Sequence, residues 1–243
     1  MSARAERRRG LVASAVGTAV DWLIEPAEAD APVAPPEVVL ERLVERPVVA
    51  VIGLRPRSGT TVAARALAAE LGRRDPGGVA AATASVPSGG AVPLGLPGAV
   101  RLARTLAPVS GGTSRACGRL CLVPGADAVR LADAARYLAP LVLDVADPAE
   151  ASAVAALSQA VVVVGGPGVE PALAAMVADS LARVGPGPIV ICTRPGERAE
   201  RWRGVAQLQL PEARMGARLA LAGREPRGEL GRVIEELADR CTA

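Results

Sequence analysis

Residues 48–71 read VVAVIGLRPRSGTTVAARALAAEL. An apolar, mostly β-branched run leads through a short Gly-containing loop into a pattern of alanines and leucines that is typical of a helix. A buried strand, a tight loop and a helix start form the setting in which backbone N–H groups and the helix dipole hold phosphate. We therefore predict a strand over residues 48–52, a phosphate-type loop after it, and a helix over residues 61–72.

Apolar runs and helical patterns continue to alternate along the rest of the chain. Such alternation is typical of a parallel sheet that helices cover on both faces. It predicts one three-layer α/β domain with a mainly parallel, twisted sheet. The further predicted strands cover residues 79–82, 119–123, 141–145, 160–164, 188–192 and 205–210, and the further predicted helices cover residues 98–106, 127–138, 150–157, 170–184 and 229–240.

Composition excludes several kinds of site. All 28 basic residues are arginine, and the 243 residues include no lysine and no histidine. This excludes the lysine of a standard phosphate-binding loop, a histidine metal site and a histidine general base. Aromatic residues make up 1% of the chain and the net charge is only +3, with both signs interspersed, so nucleic-acid binding is not expected.

The cysteines indicate the compartment. The four are Cys117, Cys121, Cys192 and Cys241, and their spacing is not that of a metal site. If the first two flank one strand, their Cα atoms are about 13 Å apart at ~3.3 Å per residue, too far for a disulfide. Buried, reduced thiols are typical of the cytoplasm. No apolar run reaches the ~20 residues that span a bilayer, so we expect a cytoplasmic protein that at most contacts the inner face of the membrane.

The chain is predicted to have two parts, an N-terminal arm over residues 1–36 and the α/β domain over residues 37–243. The arm has a basic start, a helix from Leu11 to Ile24 and a Pro/Ala-rich tract. One face of this helix is apolar and the opposite face is polar. Three roles stay open for it: packing on its own domain, docking in a groove of a partner protein, or lying on a membrane surface.

Residues 53–61, GLRPRSGTT, resemble the loop of the MinD/ParA family of deviant P-loop ATPases, which reads approximately GKGGVGKTT. An ungapped alignment puts Leu54 at the first lysine of that loop, which reaches across a dimer. It puts Gly59 at the second lysine, which holds the β- and γ-phosphates. Thr60 then matches the residue whose hydroxyl binds magnesium, and Thr61 the threonine after it.

The resemblance extends over residues 47–240. Asp144 lies at the end of a strand that resembles the Walker B strand, where the family aspartate assists magnesium through water. The segment PIVICTRP resembles the strand before base recognition, with Cys192 and Thr193 where an asparagine is often found. A proline after the last predicted strand and a final helix complete the pattern.

The chain also departs from this family. Both lysines are absent, a serine replaces a loop glycine, and Pro56 lacks the N–H group that a phosphate cradle uses. The loop after the second strand, ATASVPSGGAV, contains no aspartate, whereas active members usually carry acidic residues there. Loss of the second lysine with the paired threonines retained resembles the CpaE/TadZ-like proteins of Tad-type pilus assembly.

The resemblance therefore implies a vestigial nucleotide site without a catalytic residue. Thr60 and Asp144 are its vestigial magnesium candidates, and a purely structural role stays open for Asp144. We expect no cofactor; the alternative is ATP with magnesium, held by arginine in place of the loop lysines. The candidate site residues are Gly53, Arg55, Arg57, Ser58, Gly59, Thr60, Thr61 and Asp144, with Arg55 or Arg57 as the substitute cation.

Three functions are compatible with these observations. The first is a non-catalytic pseudo-ATPase that acts as a localisation or assembly factor for a membrane-associated machine, with the Tad-type pilus as the candidate from resemblance. Its partners would be proteins of that machine, and a homodimer and a peripheral membrane contact through the predicted arm helix are also open. The second is an active or nucleotide-switched ATPase of the ParA/MinD type. The third is an unrelated scaffold that keeps only the fold.

Overall fold

The computed structural model describes residues 44–85, 93–145, 147–194 and 199–243. They belong to one compact unit, Leu43–Ala243. Residues 1–36, with the helix predicted from Leu11 to Ile24, lie outside the described residues, so both the arm and its role stay predictions. Within the described ranges, no helix combines the length and the apolar character needed to cross a bilayer.

The centre of the domain is an eight-stranded sheet. Its strand order is β3-β4-β2-β5-β1-β6-β7-β8, and every pairing is parallel except that of the edge strand β3 with β4. The strands are β1 Val48–Gly53, β2 Ala80–Ala82, β3 Arg115–Cys117, β4 Leu120–Leu122, β5 Leu141–Val145, β6 Ala160–Gly165, β7 Ile189–Thr193 and β8 Leu208–Gln209.

Seven α-helices in the described ranges cover this sheet on its two faces, as the alternating sequence pattern predicts. The first and the last two lie on one face, and the other four on the opposite face. They are α1 Thr60–Arg74, α2 Pro97–Leu106, α3 Ala128–Ala135, α4 Ala151–Leu157, α5 Pro171–Leu181, α6 Arg214–Leu221 and α7 Gly228–Thr242.

The core lies on both faces of β1, the central strand. Val49 and Val51 pack beneath α1 and α7, whereas Ala50 and Ile52 pack toward α2–α5. Because successive side chains of a strand point to opposite faces, a strand that is buried on both sides must be apolar throughout. This explains why residues 48–52 form an unbroken apolar run.

All strands and helices predicted for residues 48–240 occur, most of them with shifted ends. The strand predicted over residues 205–210 is reduced to Leu208–Gln209, and the helix predicted over residues 170–184 ends at Leu181. Two elements were not predicted, β3 and α6. A three-residue strand such as β3 carries too little periodicity to be recognised, because it forms only by pairing with β4. The short helix α6 follows Pro211 so closely that the segment reads as a loop.

Cys117 and Cys121 do not flank a single strand, the arrangement considered in the sequence analysis. Cys117 lies in β3 and Cys121 in β4, the two arms of an antiparallel hairpin. The register pairs Cys117 with Leu120 and Ala116 with Cys121. The two thiols therefore point to opposite faces of the sheet, and all four cysteines are buried and free.

Candidate functional site

The candidate site is the loop of residues 54–59 that connects β1 to α1. The ends of the neighbouring parallel strands meet at the same edge of the sheet, which brings Asp144 from β5 and the segments after β6 and β7 next to it. In open α/β sheets this edge is where ligands bind. The topology thus assembles one site from four distant parts of the sequence.

Geometry requires glycine at two positions, the end of the loop and the end of β1. Gly59 has φ +89°, a left-handed conformation that side chains with a Cβ atom rarely adopt. Gly53 has an ordinary backbone, but a Cβ atom there would collide with the hydroxyl of Thr60. The loop also holds a non-glycine residue in the left-handed region, Arg57 at φ +65°. The loop is therefore tightly wound, as predicted for a Gly-containing loop between a strand and a helix.

The hydroxyl groups of the loop are engaged within the protein. Oγ of Ser58 and Oγ1 of Thr60 lie 2.8 Å apart and share a hydrogen bond. Thr61, the next residue, donates from its Oγ1 to Oδ2 of Asp144 at 2.8 Å. The structure thus brings Thr61, rather than the predicted magnesium candidate Thr60, into contact with Asp144.

Asp144 is held from two sides. Its backbone N–H donates to Oγ1 of Thr83 at 2.8 Å, and its carboxylate accepts the bond from Thr61. Burial raises the pKa of Asp144 above its ordinary value, although the bond from Thr61 and the charge of Arg65 act in the opposite direction. Sequence reasoning missed Thr83, because only the fold places it beside the end of β5.

The two loop arginines do not lie over Gly59. Nη1 of Arg55 donates to the carbonyl oxygen of Gly168 at 3.0 Å, which ties the loop to the segment after β6. Arg57 is exposed. The cation nearest to the loop end is instead Arg194, which sequence reasoning also missed.

Arg194 follows β7 directly and turns toward the start of α1. A Cβ atom at Gly59 would lie 2.9 Å from Cδ of Arg194 and 3.4 Å from its Nη1. Nη2 of Arg194 also reaches Oε1 of Glu212 at 3.3 Å, and that carboxylate is exposed. An exposed ion pair of this kind contributes little stability. The signal in the sequence was an arginine two residues after a predicted strand, at the edge where strand ends meet.

A cleft of about 230 Å³ opens beside Gly59 and Arg194. Its walls are mainly apolar, with Arg194, Glu212 and Arg214 as its charged residues. Cys192 and Thr193, which the resemblance placed near base recognition, are both buried within β7 and do not line this cleft. The apolar wall comes from Val62, Ala63, Leu210, Pro211, Ala213, Ala217 and Leu230.

These residues do not fit a magnesium–triphosphate group held in the manner of the MinD/ParA loop. Pro56 has no N–H group, and the N–H groups of Leu54 and Ser58 donate to carbonyl oxygens of the protein. The side chain of Arg194 lies against Gly59, the residue that the alignment puts at the second lysine. Across the described ranges, no three His, Cys, Asp or Glu side chains come close enough together to hold a metal ion.

No family model matches this chain, and no curated protein matches it. Among solved structures it is similar to a variant of McdA from Cyanothece in complex with ATP, with a TM-score of 0.56 and 11% identity over 81% of this chain and 96% of that chain. It is similar to MinD from Pyrococcus horikoshii with Mg-ADP, with a TM-score of 0.54 and 14% identity over 80% and 95%. A third similar structure belongs to the MinC:MinD cell division protein complex of Aquifex aeolicus, with a TM-score of 0.50 and 13% identity over 81% and 96%. At this level of identity the likeness establishes the fold, and the chain has the P-loop α/β fold of the MinD/ParA ATPases.

Proposed function

We propose that this chain is a pseudo-ATPase of MinD/ParA fold that acts as a localisation or assembly factor for a membrane-associated machine. The observation that carries the proposal is the loop end: Gly59 stands where the family has its phosphate-holding lysine, and Arg194 fills the adjacent space. No lysine exists elsewhere in the chain to replace it.

Phosphoryl transfer depends on positive charge that is aimed at the transferring group. A lysine at the end of the loop would place a compact ammonium group there, whereas the planar guanidinium of Arg194 approaches from β7 and is shared with Glu212. The hydroxyls of Thr60 and Thr61 are bonded to Ser58 and Asp144. Each of these contacts favours a loop that closes on itself over one that is open for a nucleotide.

A pseudo-ATPase has to act by binding other molecules. One structure of this fold is a MinC:MinD complex, so the fold itself accommodates a protein partner. The Tad-type pilus machine is the candidate that the sequence resemblance names. The arm of residues 1–36 is the segment that we propose for recruitment, by a partner protein or by an anionic membrane surface.

The direct test is phosphate release from ATP in the presence of magnesium. We expect a rate equal to that of the buffer blank, and Thr60→Ala should not change it. Magnesium-dependent turnover that Thr60→Ala abolishes would refute the pseudo-ATPase proposal.

Recruitment is tested by deleting residues 1–36. We expect the domain to stay folded, as judged by circular dichroism, and to lose its localisation in cells. Vesicle flotation at low and high salt separates the two routes, because attraction of arginines to anionic lipids weakens with salt. A truncated protein that unfolds, or that localises normally, would contradict the proposed role of the arm.

A second candidate function is a nucleotide-binding switch that uses arginine as its cation. The position of Arg194 between Gly59 and the cleft favours it, because guanidinium groups bind phosphate well. Calorimetric titration with ATP and ADP, with and without magnesium, tests this function. Binding that is lost in Arg194→Ala and retained in Arg203→Ala, an exposed arginine outside the cleft, would support the switch.

A further inference from the structure

We propose that the cleft beside Gly59 and Arg194 binds a small monocarboxylate with an apolar body, and that the carboxylate pairs with the guanidinium of Arg194. The inference goes beyond the proposed function, which gives this cleft no ligand. It rests on that function only in so far as the loop excludes a triphosphate group.

The wall of the cleft is held in place by packing and by a backbone hydrogen bond. Gly216 lets α6 pack directly on α7, because a Cβ atom there would lie 2.9 Å from Cδ2 of Leu230. The N–H group of Leu210 donates to the carbonyl oxygen of Thr193 at 2.7 Å, which ties the segment after β8 to the end of β7. The cleft is therefore preformed, as small-molecule sites usually are.

The side chains that line the cleft determine which chemical class fits it. Seven of the eleven lining residues are apolar, three are charged and one is Gly59, so no side-chain hydroxyl or amide lines it in the part of the chain that the structure describes. A sugar or a purine base would bury its donors and acceptors there without side-chain partners, which costs free energy. An apolar body is instead stabilised by the area that it buries.

The size of the cleft limits the ligand as well. Its volume of about 230 Å³ lies below the roughly 300–1,000 Å³ that is usual for sites of drug-sized molecules. The apolar body must therefore be small, such as a short aliphatic chain or a single ring.

The charged residues of the cleft favour one negative charge on the ligand. Arg194 and Arg214 carry two positive charges and Glu212 carries one negative charge, so the described lining has one positive charge in excess. A monoanion balances this excess, whereas a polyanion would leave negative charge unpaired beside an apolar wall.

Arg194 is the cation that can receive the anion. Its side chain packs against Gly59 and is 32% exposed, whereas that of Glu212 is 64% exposed. The hydrogen bond between them, from Nη2 to Oε1, is long at 3.3 Å. A guanidinium has five N–H donors, so this bond leaves donors for a ligand. A carboxylate in the cleft can accept two parallel bonds from Arg194, the strongest geometry for this pair.

The neighbouring loop does not add a second anion position of the phosphate-cradle kind. The N–H groups of Leu54 and Ser58 donate to carbonyl oxygens of the protein, and the hydroxyl of Thr61 donates to Asp144. These donors are engaged, whereas a chain of phosphate groups would need several of them. One anionic group beside an apolar wall is therefore the pattern that the described residues fit.

Nuclear magnetic resonance of the isotope-labelled full chain tests this site. The probe is hexanoate, and the reference compounds are hexanol, which lacks the charge, and acetate, which lacks the apolar chain. We expect hexanoate to shift the N–H signals of Val62, Ala213 and Ala217. It should bind at least about tenfold more tightly than either reference compound, because it alone uses both the apolar wall and Arg194.

Arg194→Gln should weaken the binding of hexanoate at least about tenfold and leave that of hexanol unchanged. Arg203→Gln is the matched control, because Arg203 is exposed and does not line the cleft, and it should bind both compounds as the natural protein does. Equal binding of hexanoate to the natural protein and to Arg194→Gln would overturn the proposal. Signals of the cleft residues that hexanoate leaves unshifted would overturn it as well.

AMP is the final comparison, because it carries a base and a sugar next to its anionic group. If AMP bound more tightly than hexanoate and Arg194→Gln abolished that binding, the cleft would be a nucleotide site and the proposal would be wrong. The hexanoate titrations contain neither ATP nor magnesium, so their failure would not affect the result of the phosphate-release assay. Turnover in that assay would refute the pseudo-ATPase proposal whether or not hexanoate binds.

Discussion

The side chain of Arg194 lies against the Cα atom of Gly59, in the space that a longer residue at position 59 would need. A Cβ atom there would meet Cδ of Arg194 at 2.9 Å, and the backbone of Gly59 is already left-handed at φ +89°. A longer residue at position 59 would therefore be strained in its backbone and would require the flexible side chain of Arg194 to shift. The residue at position 59 and the conformation of Arg194 after β7 therefore limit each other, although 135 positions separate them along the chain.

Restoring the lysine should harm the fold without creating activity. We expect Gly59→Lys to destabilise the domain by roughly 1–3 kcal/mol, because a non-glycine residue is strained in this conformation and also displaces Arg194. Urea unfolding measures the loss, and phosphate release should stay at the blank. Gly204→Lys is the matched control, because Gly204 has φ +85° with no atom within 4 Å of its Cβ position. A loss no greater in Gly59→Lys than in Gly204→Lys would contradict the contact with Arg194.

Glu70 should make the domain sensitive to acid. It is 3% exposed and accepts hydrogen bonds from Arg73 and Arg74. Burial tends to raise the pKa of Glu70, but the two arginines outweigh it and hold the pKa below the ordinary 4.5. The stability that this carboxylate contributes is therefore present above pH 4.5 and lost as the pH falls through the lower folded pKa. Glu70→Gln should cost about 1–3 kcal/mol at pH 7 and progressively less toward pH 3.

Urea unfolding at several pH values measures this difference. Glu236→Gln is the control, because Glu236 pairs with Arg240 on α7 in an exposed position and should cost little at any pH. If the free energy of unfolding of Glu70→Gln differed from that of the natural protein by the same amount from pH 7 to pH 3, the lowered pKa of Glu70 would be contradicted.

The cysteines should be inert in the folded protein. Burial raises the pKa values of Cys121, Cys192 and Cys241 to about 12. Against an ordinary value of 9.0, this lowers the thiolate fraction near neutral pH about a thousandfold. An aromatic disulfide reagent should therefore label none of the four thiols at pH 8 without urea and all four with it. Ser152→Cys, at an exposed position, should add one rapidly labelled thiol, and labelling of the natural protein as fast as that thiol would contradict the prediction.

Self-association, where it occurs, should not depend on nucleotide. The alignment with the MinD/ParA loop puts Leu54 at the lysine that crosses the dimer in that family. Leu54 instead lines an apolar cleft of about 370 Å³ with Leu173 and Met176, which are 41% and 59% exposed. Light scattering should give the same mass with and without ATP, and Met176→Glu should weaken any dimer.

Met215→Glu is the control for this experiment, because Met215 is 66% exposed on α6, outside the cleft. A conversion of monomer to dimer on addition of ATP would favour the nucleotide switch over the pseudo-ATPase.

The apolar and helical periodicities were enough to predict the three-layer architecture and most elements of the sheet. Burial on both faces of a strand requires a continuous apolar run, and burial on one face of a helix requires a 3.6-residue repeat. Each of these patterns can be recognised within a single segment of the sequence. The position of the loop after β1 and its glycine spacing were visible for the same reason, because a tight turn constrains adjacent residues.

The side chains that surround the loop were decided by the packed sheet. Arg194 meets Gly59, and Thr61 bonds Asp144, because parallel strands from distant parts of the chain end at one edge. No local pattern records which strand ends become neighbours. Whether Thr60 or Thr61 faces Asp144 depends on the rotation of α1 about its own axis, which is set by the packing of its whole length. For this reason the position of the loop could be predicted from the sequence, whereas the charged side chains that lie beside it could be identified only in the folded chain.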